Sequence, residues 1–243
     1  MEYIAAPELL NQYVILITGA GNGIGAAVAK AYAHHGASVV LLDKNVSALT
    51  QVYDDIIASG DATPAIYPLD LKGANVDDYS TLASSIDANF GRLDGLVHCA
   101  ASLGQLAPVE HQDPKTWLET LHINLTAPYL LTRACLPLIK HCEHGSIIFT
   151  TDSHKDKAYW SGYGLSKAGI ETFSKQLADE LESEGHVRVN CIDPGSVKTT
   201  LRTHAFPAID PTNLASPDDV VSSYLYLMGS DSLSSNGELL QAQ

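Results

Sequence analysis

Cysteine and positive charge are both scarce in this sequence, and each shortage excludes something. The four cysteines, Cys99, Cys135, Cys142 and Cys191, stand apart with no Cys-x-x-Cys pair among 243 residues. Neither a disulfide framework nor a familiar zinc site is expected, and reduced thiols in a cytoplasmic protein fit the pattern. Lys and Arg number 14 against 28 Asp and Glu, a net charge of −14. Such a field repels phosphodiester backbones and anionic lipid surfaces, so neither nucleic acid nor membrane is an expected partner. No apolar run approaches the 18 or so residues of a membrane span. No basic residue precedes Lys30, and no signal peptide is expected. Without a secretory route, the Asn-x-Ser/Thr triplets at Asn45 and Asn124 read as chance matches. The run His141-Cys142-Glu143-His144 gathers metal-ligating side chains, but four consecutive turn residues rarely converge tetrahedrally; it reads as a polar helix end, with no metal.

What the chain has is a core-forming composition, 45% apolar and 17% charged, at a length that suits one large domain spanning 1–243. Short β-branched runs alternate with longer Ala-rich stretches of helical period. The predicted strands are Tyr13–Thr18, Ser38–Leu42, Ala65–Leu69, Gly95–His98, Ser146–Thr150, Val187–Ile192 and Glu238–Gln241. Between them lie predicted helices Gly23–His35, Val46–Ser59, Asp77–Phe90, Pro114–Lys140, Tyr163–Ser183 and Pro217–Met228. Runs such as Val14-Ile15-Leu16-Ile17 are continuously apolar, as strands covered on both faces are. The fold class is therefore α/β: a doubly wound parallel sheet of about seven strands with helices on both faces. The stretch 199–216, with two prolines, a third just beyond it at Pro217 and little periodicity, is expected to be a loop over the substrate.

The first strand ends in Thr18-Gly19-Ala20-Gly21-Asn22-Gly23-Ile24-Gly25, and a helix follows at once. Glycines there permit a tight turn and let a diphosphate approach the backbone and the helix N-terminus. Asp43 closes the second strand, where a carboxylate can accept from ribose hydroxyls and repel a 2′-phosphate. That points to NAD. Lys44 beside it leaves NADP open, and a plain turn or helix-cap role for Asp43 is the alternative.

The spacing Gly19-x3-Gly23-x-Gly25, with Tyr163-Gly-Leu-Ser-Lys167 far downstream, resembles the short-chain dehydrogenase/reductases over nearly the whole chain. Asp70, the turn His98-Cys99-Ala100-Ala101, Asn124 in His122-Ile123-Asn124-Leu125, and Pro194-Gly195-Ser196-Val197-Lys198-Thr199 add to the likeness. The segments 125–133 and Arg188-Val189-Asn190-Cys191 resemble its YciK-like branch. The resemblance implies a Rossmann fold and an oxidoreductase that moves hydride between a nicotinamide cofactor and a secondary alcohol, ketone or related carbonyl compound. It implies catalytic roles for Asn124, Tyr163 and Lys167, and a cofactor site made of Gly19, Asn22, Gly23, Ile24, Gly25, Asp43, Asp70, Ala100, Tyr163, Lys167, Pro194, Gly195, Val197 and Thr199. Asp70 would meet the adenine amino group and Thr199 the nicotinamide carboxamide. It also implies a homodimer or homotetramer built on the long helices Pro114–Lys140 and Tyr163–Ser183.

The residues themselves explain the chemistry. A phenol ionising near pH 10 is a poor base at neutral pH unless a nearby cation favours its phenolate. Tyr163 and Lys167, four apart on one helix, share a face. Two departures from the family pattern stand out. Cys99 and Ala101 replace its usual asparagine and glycine, which predicts weaker cofactor binding. Counted from the fifth strand, Asp152 occupies the place of the family's serine, in a loop about two residues short. An ionised carboxylate there would oppose alkoxide formation. Ser153 is the expected hydroxyl donor, with a protonated Asp152 or Thr151 as alternatives. A rival reading keeps nucleotide binding but not efficient turnover. Trp160, Tyr159 and Phe206 are candidates for an aromatic substrate wall.

Overall fold

The computed structural model describes residues 3–243; Met1 and Glu2, the first two positions of the predicted domain, lie outside the described residues. The strands are β1 (Val14–Thr18), β2 (Ser38–Asp43), β3 (Ala65–Pro68), β4 (Gly95–His98), β5 (Gly145–Thr150), β6 (Val187–Asp193) and β7 (Leu239–Gln241). They form one parallel sheet in the order β3-β2-β1-β4-β5-β6-β7. The chain builds outward from β1 to β3, then returns to lay β4 on the other side of β1. A crevice opens at the carboxyl edge where that reversal occurs.

Alternate side chains of β1 serve opposite faces, which is why the whole strand is apolar. Ile15 and Ile17 join the core under helices α1 (Gly23–His34), α2 (Val46–Ala58) and α8 (Val221–Met228). Val14 and Leu16 join the core under α3 (Val76–Phe90), α5 (Ala127–Ile139) and α6 (Ser161–Glu180). The motif Arg188-Val189-Asn190 ties the chain after α8 to the sheet. Buried Arg188 donates to the carbonyls of Leu227 and Met228 at the helix end and to Ser232, while Asn190 pairs with Ser235 and Glu238.

The predicted helix Pro114–Lys140 is divided. An α-helical α4 (Pro114–Leu121) passes through a π-helical turn, His122–Thr126, into α5. Pro128 has no N–H to give the carbonyl of Asn124 four residues back, and its ring crowds that carbonyl, so the helix widens there. The 199–216 stretch contains a short helix, α7 (Thr200–Ala205), and is stitched to the β6 loop by the Val197–Ala215 bridge.

Candidate active site

The crevice runs along the carboxyl edge of the sheet and has a volume of about 370 Å³. Its floor is the glycine turn. Gly19 has φ +68°, and a Cβ on it would lie 2.8 Å from the Ala100 amide nitrogen. A Cβ on Gly25 would collide with the Gly19 carbonyl. Both positions therefore keep the turn bare and close to its neighbours. Asn22 caps α1, accepting from the Gly23 amide, and donates to Thr200 at 3.3 Å. Thr18 accepts from the Ala100 amide at 3.2 Å, joining the turn to the loop after β4.

Every residue expected to hold the cofactor lines this crevice, from Gly19, Asn22, Gly23, Ile24 and Gly25 through Asp43, Asp70 and Ala100 to Pro194, Gly195, Val197 and Thr199. Asp43 closes β2, with one carboxylate oxygen accepting from the Gly21 amide at 3.3 Å and the other from the Asn45 amide at 3.0 Å. Asn45, not Asp43, caps α2 through the Ala48 amide. Asp70 is exposed just after β3, and Thr199 caps α7.

Tyr163 and Lys167 rise from the first and second turns of α6 into the same crevice. The Lys167 ammonium donates to the Thr150 carbonyl at 2.8 Å and stands 5.6 Å from the centre of the Tyr163 ring. Burial lowers its pKa. The Tyr163 hydroxyl donates to Asp152 Oδ2 at 3.0 Å. Its pKa is raised well above 10, first by burial, then by the charge and hydrogen bond of Asp152; Arg202 opposes the rise. Burial also pushes the Cys99 thiol up to about 11, consistent with a packing role rather than a reactive one.

The structure corrects the expectation for Ser153. β5 runs out at Thr150 and the backbone stays extended through Asp152, which then caps a single 3₁₀ turn, Ser153–Asp156. That immediate turn sends Ser153 to the surface, outside the crevice lining. Thr151 faces the other way, its hydroxyl donating to Glu171 at 2.7 Å. Asp152 is therefore the side chain that meets Tyr163. Its second oxygen accepts from the His154 amide at 2.8 Å and lies 2.7 Å from His154 Nδ1. The imidazole is wedged between Trp160 and Phe206, at 4.7 and 5.4 Å between ring centres. Trp160 is buried and also contacts the Tyr163 ring, whereas Tyr159 is 63% exposed and joins no wall.

Asn124 is buried outside the crevice lining. Its side chain exchanges hydrogen bonds with the backbone of Ser102, at 2.7 and 2.8 Å, and donates to Ser166 at 3.1 Å. It thus pins the loop after β4 to α6. Sequence reasoning missed His154 and Arg202. The pairing His154-x-Asp152 was visible as a local acid–imidazole signal, whereas nothing local singles out Arg202.

The family model for short chain dehydrogenases matches residues 13–210. The chain belongs to that family. It is 39% identical to the oxidoreductase YciK of Escherichia coli K12, itself uncharacterised, over 100% of this chain and 96% of that protein. It is 31% identical to a D-threitol dehydrogenase of Mycolicibacterium smegmatis, covering 94% of this chain and 90% of the relative. A protein of Shigella flexneri 2a assigned to the short-chain dehydrogenases, solved with NADP, superposes with a TM-score of 0.95 at 40% identity, covering 98% of this chain and 100% of that one. The sequence reading of this family, and of its YciK-like branch, stands, as does the doubly wound single-domain architecture.

Proposed function

We propose that this short-chain dehydrogenase interconverts a secondary alcohol and its carbonyl compound with a nicotinamide dinucleotide. The observation that carries the reading is that one crevice holds the bare glycine turn at one end and the Tyr163 phenol, with the Lys167 ammonium 5.6 Å from its ring centre, at the other. The bound nicotinamide supplies or takes up the hydride. Gly19, Asn22, Gly23, Ile24 and Gly25 would seat the diphosphate against α1, Asp43 and Asp70 the adenosine, and Ala100, Pro194, Gly195, Val197 and Thr199 the nicotinamide side. Tyr163 gives its proton to the substrate oxygen in reduction and takes it back in oxidation. Lys167 holds positive charge beneath the phenol, and Asn124 keeps α6 in register with the loop after β4.

Asp152 is the site's anomaly: one carboxylate oxygen meets the Tyr163 hydroxyl, while the other accepts from the His154 amide and lies 2.7 Å from His154 Nδ1, so its lone pairs are shared between Tyr163 and the 3₁₀ turn. For the cofactor we propose NAD, because the Asp43 carboxylate sits where a 2′-phosphate would come. The NADP bound by the Shigella protein favours the other choice, with Lys44, exposed beside Asp43, as the phosphate's partner. A second functional reading, nucleotide binding with little turnover, is favoured by the Tyr163–Asp152 bond alone. The 199–216 segment is proposed as the substrate loop, since Thr199, Thr200, Leu201 and Arg202 contribute to the lining. The test is titration with NADH and NADPH, followed by a screen of alcohols and ketones with the tighter one. Turnover lost in Tyr163→Phe by at least about 100-fold, with cofactor affinity retained, supports the enzyme. Cofactor binding without turnover on any substrate supports the second reading.

Four free thiols among the described residues fit a reducing cytoplasm. No helix among the described residues is long and apolar enough to cross a membrane. We also propose a homodimer or homotetramer built on α5 and α6, where Tyr129 and Leu165 are 45% and 56% exposed. Light scattering at the mass of a single chain refutes it.

A further inference from the structure

Resting on the proposed reaction, we infer that the substrate is an acid: a hydroxy or oxo acid whose carboxylate is received by Arg202 while its hydroxyl or carbonyl oxygen meets Tyr163. Arg202 lies on α7, within the lining of the crevice. Its guanidinium is held in place without being neutralised. Phe206 lies under it, 4.2 Å from the guanidinium carbon to the ring centre, and Nη2 donates to Ser196 Oγ at 2.8 Å. Both partners are uncharged. Nε is covered and has no acceptor, and no carboxylate approaches the group within 4.0 Å among the described residues. In a chain with twice as many acids as bases, a braced arginine left without an acid is a vacancy for an anion, and its planar fork suits a carboxylate.

Two anions could claim it, the cofactor's diphosphate and the substrate. The start of α7 attends the glycine turn: Thr200 accepts from Asn22, and a Cβ on Gly23 would touch the Thr199 methyl. The Arg202 side chain goes the other way, to Ser196 and Phe206, and Phe206 in turn packs on Trp160 and His154 around Tyr163 and Asp152. Its charge is felt at the Tyr163 hydroxyl. That places it on the reacting side of the crevice. Charge logic agrees: with Asp152 beside the reacting oxygen, a neutral substrate has little to hold it there, whereas an acid gains a directed ion pair at its far end.

The experiment compares linear 2-, 3- and 4-oxo acids with their methyl esters on the wild-type enzyme and on Arg202→Met. It measures both turnover and binding to the cofactor-loaded protein by calorimetry. The inference expects one acid in the series to bind and its ester to bind at least tenfold more weakly. It expects Arg202→Met to erase that difference while NADH affinity stays within twofold. Esters favoured over acids, no acid bound by the loaded wild type, or an Arg202→Met loss that falls equally on NADH would each overturn it. The last outcome assigns Arg202 to the diphosphate. Binding that discriminates acid from ester without any turnover leaves the inference standing and removes the proposed reaction instead.

Discussion

Replacing Asp152 with serine is the perturbation that tests the site's electrostatics most directly. The Asp152 oxygen is 3.0 Å from the Tyr163 oxygen, and the carboxyl group is mostly shielded, its side chain 19% exposed. When Tyr163 delivers its proton, negative charge appears on the phenol or the substrate oxygen. A full carboxylate charge about 4 Å away, at an effective dielectric of about 20, opposes that by about 4 kcal/mol. The His154 amide donating to its other oxygen at 2.8 Å spreads part of that charge away from Tyr163; with about half of the field left, about 2 kcal/mol remains, worth about 30-fold in rate. Asp152→Ser should therefore raise kcat/KM for carbonyl reduction by about 30-fold, followed as cofactor absorbance under saturating NADH. The same change removes two of the causes that raise the Tyr163 pKa, leaving burial and the charge of Asp193. The alkaline limb of the rate profile should move to lower pH. Asp152→Asn controls for shape, since it keeps the outline and loses the charge. If both variants are slower than wild type, the reasoning is refuted: the carboxylate would then be taking the proton from Tyr163 productively, with His154 as its support.

Gly19→Ala should abolish NADH binding, because its Cβ would press on the Ala100 backbone at 2.8 Å from a positive-φ position; the strained conformation alone costs about 1–2 kcal/mol. Fluorescence titration and a melting curve check the two effects. His98 is buried at the end of β4, stacked on Phe149 at 4.7 Å and bonded to Thr132 at 2.9 Å, and burial lowers its pKa to about 3. Folding keeps it neutral where the unfolded chain binds a proton, so stability is complete above the unfolded pKa near 6.5 and falls as pH drops from there toward 3. The loss is about 2 kcal/mol by pH 5. Denaturant unfolding of His98→Asn should show a flatter dependence over that window; equal slopes would refute the assignment.

Where the sequence was readable, the information lay within one rigid element. β1 announced its two-sided burial through Val14-Ile15-Leu16-Ile17, since a strand between two helical layers has no face for a polar side chain. Tyr163 and Lys167 could be joined because helix geometry alone places positions four apart on one face. The failures came where a side chain's direction depends on a turn. Counting forward from β5 put Asp152 in the site, but preferring Ser153 assumed that a loop two residues short would twist to bring the next residue in. The actual economy is the reverse: Asp152 caps the turn, so the chain bends immediately after it and Ser153 is lost to solvent.

The divided helix was legible in principle, because Pro128 withholds a donor from the Asn124 carbonyl wherever that sequence is helical. Its consequence was not, because the widened turn aims the Asn124 amide at Ser102 and Ser166, two partners 22 and 42 residues away. Arg202 lies further still from any local rule. Its interest is that no acidic side chain among the described residues reaches it. The lack of an acidic partner is a property of the whole surrounding surface, so a cation left without one can be recognised only after the fold has placed the other charges.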